Sequence, residues 1–438
     1  MLSQEDNDLL TRVEGDAPMG QLLRRFWMPA LLEDELAEPD GEPVKLRLLG
    51  EDLVAFKDSE GRIGILDAYC PHRRAHLFFG RNEDCGLRCV YHGWKFDVTG
   101  QCVDMPSESA ETEFKHKVKT TTYPTAVRGG VIWIYMGPTK ELPPLPDFEW
   151  SYLPPGQRTA MKRLQQCNWA QAVEGGIDSS HVSFLHSNIK GTGTVNFGRK
   201  MVSYMTEDRH PVFHVAEQPH GLLIGARRNA GDENYYWRFT QAPLPFYNMI
   251  PPPMNGETSR GLPYAGHAWV PIDDHNTWTW SFSASPSEVY ADDLHAFQGG
   301  KEGMWGPVDD DYRPKLNREN VYGLDRAKQR EETFTGIDGI PNQDAAVQES
   351  MGPITDRTKE HLGSSDMAVI AWRKLILRLC KELQAGDEPA AALDNAAFNI
   401  RSASIVLPRE ADWLTDALAL TAGLTEEERA GLGRDAAE

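Results

Sequence analysis

The chain has 438 residues, 40% hydrophobic and 25% charged, an ordinary globular composition with room for two or more cored domains. Its formal net charge of −20 argues against nucleic acid or anionic membrane as a partner, because both repel an acidic surface. With no apolar run of about 18 residues, no signal-like start and six scattered cysteines that make no disulfide framework, the expectation is a soluble cytoplasmic protein with reduced thiols.

In chain order, a helix is predicted over residues 4–13, followed by an apolar stretch at 26–32. Segment 1–42 is expected to dock on the larger of two domains. Short strands broken by glycine turns follow at 44–48, 53–56, 63–68 and 131–135, so residues 43–138 read as a small all-β module. Pro138, Pro143, Pro144, Pro146, Pro154 and Pro155 then crowd together, a composition that resists helix and central strand and marks a connector.

Within the module the sequence contains Cys70-Pro71-His72 and Cys89-Val90-Tyr91-His92, a C-x-H-x16-C-x2-H pattern. Thiolates with imidazoles suit zinc or an iron–sulfur cluster. Structural zinc usually pairs cysteine with cysteine and histidine with histidine, whereas here each cysteine is paired with a histidine. That mixing suits a [2Fe–2S] cluster between two hairpin tips, each giving a thiolate to one iron and an imidazole to the other. Replacing two anionic thiolates by neutral imidazoles lowers the cluster's negative charge and raises its potential.

The flanks Cys-Pro-His-Arg-Arg-Ala and Cys-Val-Tyr-His-Gly-Trp-Lys-Phe resemble the Rieske motif of ring-hydroxylating oxygenases. The respiratory Rieske type adds a cysteine pair that Cys85 alone does not supply. The resemblance implies that Cys70, His72, Cys89 and His92 hold the [2Fe–2S] cluster. Cys85, Cys102, Cys167 and Cys380 read as small buried hydrophobes, and His76 and His116 as structural. Arg73, Arg74, Arg88 and Lys95 give this stretch a basic rim suited to an acidic electron donor.

Past the connector a helix is predicted over 168–185, then a Gly/Asn/Ser-rich loop at 187–198 able to serve as a lid. Strands follow at 221–226, 235–241, 246–250, 266–270 and 277–283, and helices at 287–297, 345–352 and 366–383. Residues 139–438 thus read as an α+β domain, helices packed on an antiparallel sheet, ending in a solvated acidic tail from 381. The fold class expected is an all-β Rieske domain plus this larger catalytic domain.

On a helix Asp178 and His181 share a face, and His186 would swing back from the loop after it. Two histidines and a carboxylate on one side of Fe(II) leave positions open for O₂ and substrate. The pattern Asn168-Trp169 … Glu174 … Asp178-x2-His181-x4-His186 resembles the iron-site helix of Rieske oxygenase α subunits. Two carboxylates are candidates for the third ligand, Asp344 and Asp356. Asp344, opening a helix with Glu349 five residues on, looks like the family's ligand position, whereas Asp356 beside Arg357 is more easily an ion pair. The resemblance makes Asp178 a support for His181, linked in the family to a cluster histidine of the neighbouring subunit.

The likeness runs nearly end to end and is nearest to the phthalate 4,5-dioxygenase group, through Pro18-Met19-Gly20, 48–56 and Gln348-Glu349-Ser350-Met351-Gly352-Pro353. It implies mononuclear Fe(II), O₂ as co-substrate, and a homotrimer or stacked trimers. Electrons would come from NAD(P)H through a separate flavin, ferredoxin-type reductase, and no G-x-G-x-x-G nucleotide fingerprint follows a strand here. It implies cis-dihydroxylation of a small aromatic substrate such as a phthalate or phenoxybenzoate, with O- or N-dealkylation as the alternative; a plain electron carrier has no use for the second metal set. A carboxylated substrate wants arginines in an apolar pocket, and Arg227, Arg228 and Arg238, with Phe246, Tyr247, Met249 and Ile250 as walls, are the candidates.

Overall fold

The computed structural model describes residues 1–138, 140, 142–189, 204–252 and 262–428. Contacts divide the chain into two units, Val13–Leu142 and Met1–Arg12 with Pro143–Glu438. The expected N-terminal segment 1–42 is therefore split. Its apolar stretch forms a buried strand, Met28–Leu32, that pairs with Val131–Ile134 inside the smaller unit, because five consecutive apolar residues are better satisfied within a sheet than as a docking arm.

The smaller unit holds three antiparallel sheets. Met28–Leu32, Val131–Ile134 and Thr125–Arg128 make one; Val44–Leu48, Glu51–Lys57 and Ile63–Asp67 make a second; Arg81–Glu83, Gly86–Arg88, Lys95–Phe96 and Cys102–Asp104 make a third. Val54, Phe56, Leu66, Leu77, Leu87, Trp94 and Phe96 form a core that also takes in Cys70 and Cys89. Cys85 departs from its expected burial: with Asp84 it forms the tip between Arg81–Glu83 and Gly86–Arg88, both residues at positive φ, and it is only half-buried. Cys102, Cys167 and Cys380 are buried, while His76 accepts the Phe78 N–H and caps a short turn.

The larger unit is built on one antiparallel sheet. Its order is Arg158–Gln165, Thr277–Ala284, Tyr264–Pro271, Tyr247–Ile250, Asn234–Pro243, Gly221–Asn229 and Val212–Gln218, with Ala403–Pro408 pairing alongside Asn234–Pro243. Helix Trp169–Ile177 packs on Tyr264–Pro271, helix Ile340–Ser350 packs on Trp169–Ile177, and helix Met367–Ala385 packs on Val212–Gln218. The region after 381 is not simply a solvated tail. Ala403 and Leu407 from the added strand, with Trp413, Leu414 and Ala417 from helix Trp413–Thr421, pack against Leu223, Trp237 and Phe239. Alternating apolar residues within an acidic composition outweigh the charge. Most of the expected loop 187–198 lies outside the described residues.

Candidate metal centres

Two loops in the smaller unit share one backbone pattern. Cys70 N–H donates to Ala75 O at 2.9 Å and Arg74 N–H to Cys70 O at 2.8 Å; likewise Cys89 N–H donates to Trp94 O at 2.9 Å and Gly93 N–H to Cys89 O at 2.9 Å. The fifth residue of each loop, Arg74 or Gly93, has positive φ, which closes the turn and brings both cysteines into the core. His72 and His92 meet edge to face with ring centroids 4.4 Å apart, and His72 stacks on Trp94 at 4.2 Å. Burial pushes the Cys70 thiol up to about 12, against the pull of the His72 backbone N–H. Two buried sulfurs, two converging imidazoles and backbone donors aimed at a sulfur fit a [2Fe–2S] cluster.

The rim around these loops is less uniformly basic than its composition suggests. Lys95 is buried and donates to Asp84 O, and Arg88 is taken up by Glu83 and Asp104. Arg74 pairs with Asp67 at 3.0 Å, whereas Arg73 is exposed and lies over the Tyr91 ring.

In the larger unit, helix Trp169–Ile177 starts on Asn168, whose side chain accepts the Ala170 N–H. It ends earlier than the predicted Leu185. Gly175 and Gly176 lower helix propensity, and Asp178 leaves the helix at φ −80, ψ 117 to accept N–H bonds from Ser180 at 2.6 Å and His181 at 3.3 Å. Gly176 is needed for packing, since a Cβ there would lie 2.0 Å from the Trp269 ring, whereas one on Gly175 would meet the end of the Gln348 side chain. His181 then sits on a short 3-10 turn, His181–Ser183, so Asp178 and His181 meet through a turn and not through a helix face.

That geometry gathers His181, His186 and Asp344, with one donor atom of each within 4.8 Å of the others. His186 Nε2 is 3.4 Å and His181 Nε2 3.8 Å from Asp344 Oδ1. Asp178 Oδ2 lies 3.4 Å from His181 Nδ1, the ring nitrogen turned away from Asp344. Burial would raise the Asp344 carboxyl, yet the facing His186 and His181 hold it below the usual carboxylate range; Asp178 is likewise held low by His181 against burial. Two imidazoles and a carboxylate on one side of a cavity fit a mononuclear iron with open positions. Asp356 is elsewhere, exposed and bonded to Thr358 and Lys359.

The three side chains line a cavity of about 130 Å³ together with Val182, Ile250, Trp269, Trp305 and Ile340. Of the arginines expected there, Arg238 lines it, whereas Arg227 lies over Tyr235 and Arg228 is buried against Ser179 O at 2.8 Å. Strand alternation sends neighbours to opposite faces, and Arg228 reaches the metal-bearing turn but not the cavity. Phe246, Tyr247 and Met249 are core residues outside the lining, and Ile250 is on it. Arg163 was missed by sequence reasoning: it lines the cavity from strand Arg158–Gln165, donating twice at 3.2 Å to Asn342 Oδ1, and burial lowers its pKa to about 10. Its signal was slight, one arginine in a strand that was not predicted.

Residues 26–124 match the Rieske [2Fe-2S] domain model, and residues 134–431 the model described as LigXa C-terminal domain like. The chain is 40% identical over 425 residues to the phthalate 4,5-dioxygenase oxygenase subunit of Pseudomonas putida, covering 94% of each. It is 37% identical to the 3-chlorobenzoate-3,4-dioxygenase oxygenase subunit of Comamonas testosteroni, covering 95% of this chain and 98% of the relative. In fold it resembles a QL mutant of NdmA from Pseudomonas putida CBB5 with caffeine, at TM-score 0.60 and 20% identity, covering 87% and 96% of the two chains. The chain belongs to the Rieske non-heme iron oxygenases, as an oxygenase subunit of the phthalate 4,5-dioxygenase group that works with a [2Fe–2S] cluster and a mononuclear iron.

Proposed function

We propose that the enzyme dihydroxylates a small aromatic carboxylate, and that the cavity holding His181, His186 and Asp344 is where it does so. The observation that carries the substrate class is the presence of Arg238 on the wall of a mostly apolar cavity that also presents the metal-binding trio, where Arg163 is already bonded to Asn342. A guanidinium in such surroundings prefers a carboxylate and can hold it by two parallel hydrogen bonds. Apolar Trp269, Trp305, Val182 and Ile250 suit the ring.

In this reading Cys70, His72, Cys89 and His92 ligate the cluster, and His181, His186 and Asp344 ligate the iron. Asp178 orients His181 through Nδ1 and keeps its other nitrogen toward the metal. When bound, the iron supplies the reductive activation of O₂. The chain itself positions the ring, pairs the carboxylate and keeps bulk water from the reacting face. Electrons reach it from NAD(P)H through a separate flavin, ferredoxin-type reductase that docks near exposed Arg73 and Tyr91, and the assembly is a homotrimer or a pair of stacked trimers. The names of two relatives, acting on phthalate and 3-chlorobenzoate, support the carboxylate class.

The test is turnover under ¹⁸O₂ with a panel of aromatic acids and their methyl ethers and amides, using the reconstituted reductase. A product from an acid that carries two labelled oxygens supports dihydroxylation. One labelled oxygen, or turnover confined to the uncharged ethers and amides, would replace this reading with dealkylation.

A further inference from the structure

Resting on the ligand assignment just made, we propose that Gln343 is the positioning residue for His186, fixing its tautomer and ring angle with a neutral acceptor where His181 has a carboxylate. His186 Nδ1 lies 2.7 Å from Gln343 Oε1. The amide's orientation is fixed at its other end, because Gln343 Nε2 is 2.8 Å from Ile337 O and a carbonyl only accepts. Oε1 must then face the ring, the ring must donate from Nδ1, and the lone pair is left on Nε2, the atom 3.4 Å from Asp344 Oδ1. His186 and Gln343 are both about 5% exposed, so water does not compete for this bond.

Gln343 is also immediately before Asp344 on helix Ile340–Ser350, so a single turn supplies one carboxylate and orients one imidazole. The start of that turn is held from three sides. Gly339 has φ +81, Asn342 Nδ2 donates to Asp338 O at 2.9 Å, and the Arg163 guanidinium grips Asn342 Oδ1. The two histidines are thereby unequal donors. His181, backed by the Asp178 carboxylate, is the more electron-rich; His186, backed by an amide, is the weaker and the more rigidly placed.

To test this, mononuclear iron is removed from the holoenzyme under conditions that keep the cluster absorbance. Fe(II) and Co(II) are then titrated into wild type, Gln343→Leu, Gln343→Glu and Asp344→Ala. Glutamate keeps an acceptor for Nδ1–H but, like leucine, loses the donor to Ile337. We expect Fe(II) binding roughly 10- to 100-fold weaker in Gln343→Leu, near wild type or tighter in Gln343→Glu, and a shifted Co(II) visible band in the latter. Equal losses in both variants would make Gln343 an anchor for the Ile337 segment only and overturn the proposal, as would full retention in Gln343→Leu. If the leucine protein does not fold, an unchanged Co(II) band in Gln343→Glu overturns it and a shifted one supports it. Metal retained by Asp344→Ala would sink the ligand assignment itself; metal lost there but kept in Gln343→Leu would sink only the role of Gln343.

Discussion

Arg357 is fully buried against Glu174, its Nε and Nη2 each 3.0 Å from a different carboxylate oxygen, while its neighbour Asp356 faces solvent. Arg373 adds a 2.8 Å bond to the same carboxylate, and Asn7 Oδ1 receives Arg357 Nη1. Glu174 is on the helix that leads into the Asp178 turn, so this ion network fixes where the metal-bearing turn begins. Burial raises the Glu174 carboxyl, but Arg357 and Arg373 together hold it below the usual range.

Removing Arg357 leaves the buried Glu174 with Arg373 as its remaining cation, and Arg373 is already shared with Glu360. Arg357→Met should lower the stability of the larger unit by about 3–5 kcal/mol, read as the shift of its urea transition. Asp356→Ala, which removes only solvent-facing bonds to Thr358 and Lys359, should shift the transition far less. Equal effects would refute the division of labour between these neighbours.

Iron content separates the same two aspartates. Asp344→Ala should lose the mononuclear iron and keep two cluster irons and the cluster's visible spectrum, whereas Asp356→Ala should keep all three. Metal analysis of the purified variants decides between them.

Substrate affinity should depend on Arg238 in a charge-specific way. Arg238→Met should raise KM for an aromatic acid by roughly 10- to 150-fold, the loss of a charged hydrogen bond worth about 1.5–3 kcal/mol. The KM for an uncharged amide analogue should be nearly unchanged. A parallel rise for both compounds would show that Arg238 shapes the wall without pairing a carboxylate.

His220 gives the pH dependence of stability. Burial lowers its pKa from the ordinary 6.5 to about 4, and its Nε2 lies 2.9 Å from Gln241 Oε1. Below pH 6.5 the unfolded chain takes up a proton that the folded chain refuses until about pH 4. Stability from this residue is therefore complete above 6.5 and is lost as the pH falls through that window. His220→Gln should flatten the stability difference between pH 7 and 4.5 by about 2–3 kcal/mol, measured by urea titration at both values.

Much of this molecule was legible because its chemistry is written in rare residue types at fixed spacing. Cys70, His72, Cys89 and His92 lie on the two loop tips expected of them, and His181, His186 and Asp344 converge although Asp344 is far along the chain. What was hidden depended on local competition or on partners distant in sequence. Asp178 ends its helix by taking backbone N–H groups, which propensity alone does not weigh. Arg163 and Gln343 have no motif, and their roles exist only once Asn342 and Ile337 are placed beside them. Arg227 and Arg228 were eligible by charge but were sent elsewhere by Tyr235 and Ser179, and strand Ala403–Pro408 was masked by the acidic residues around it.

The matched hydrogen-bond ladders of the two cysteine loops close on themselves, each using only its own backbone. Such loops can keep their shape before any inorganic sulfide or iron arrives. The socket's shape is then held by the chain itself, so stripped protein should accept a fresh cluster without being denatured first.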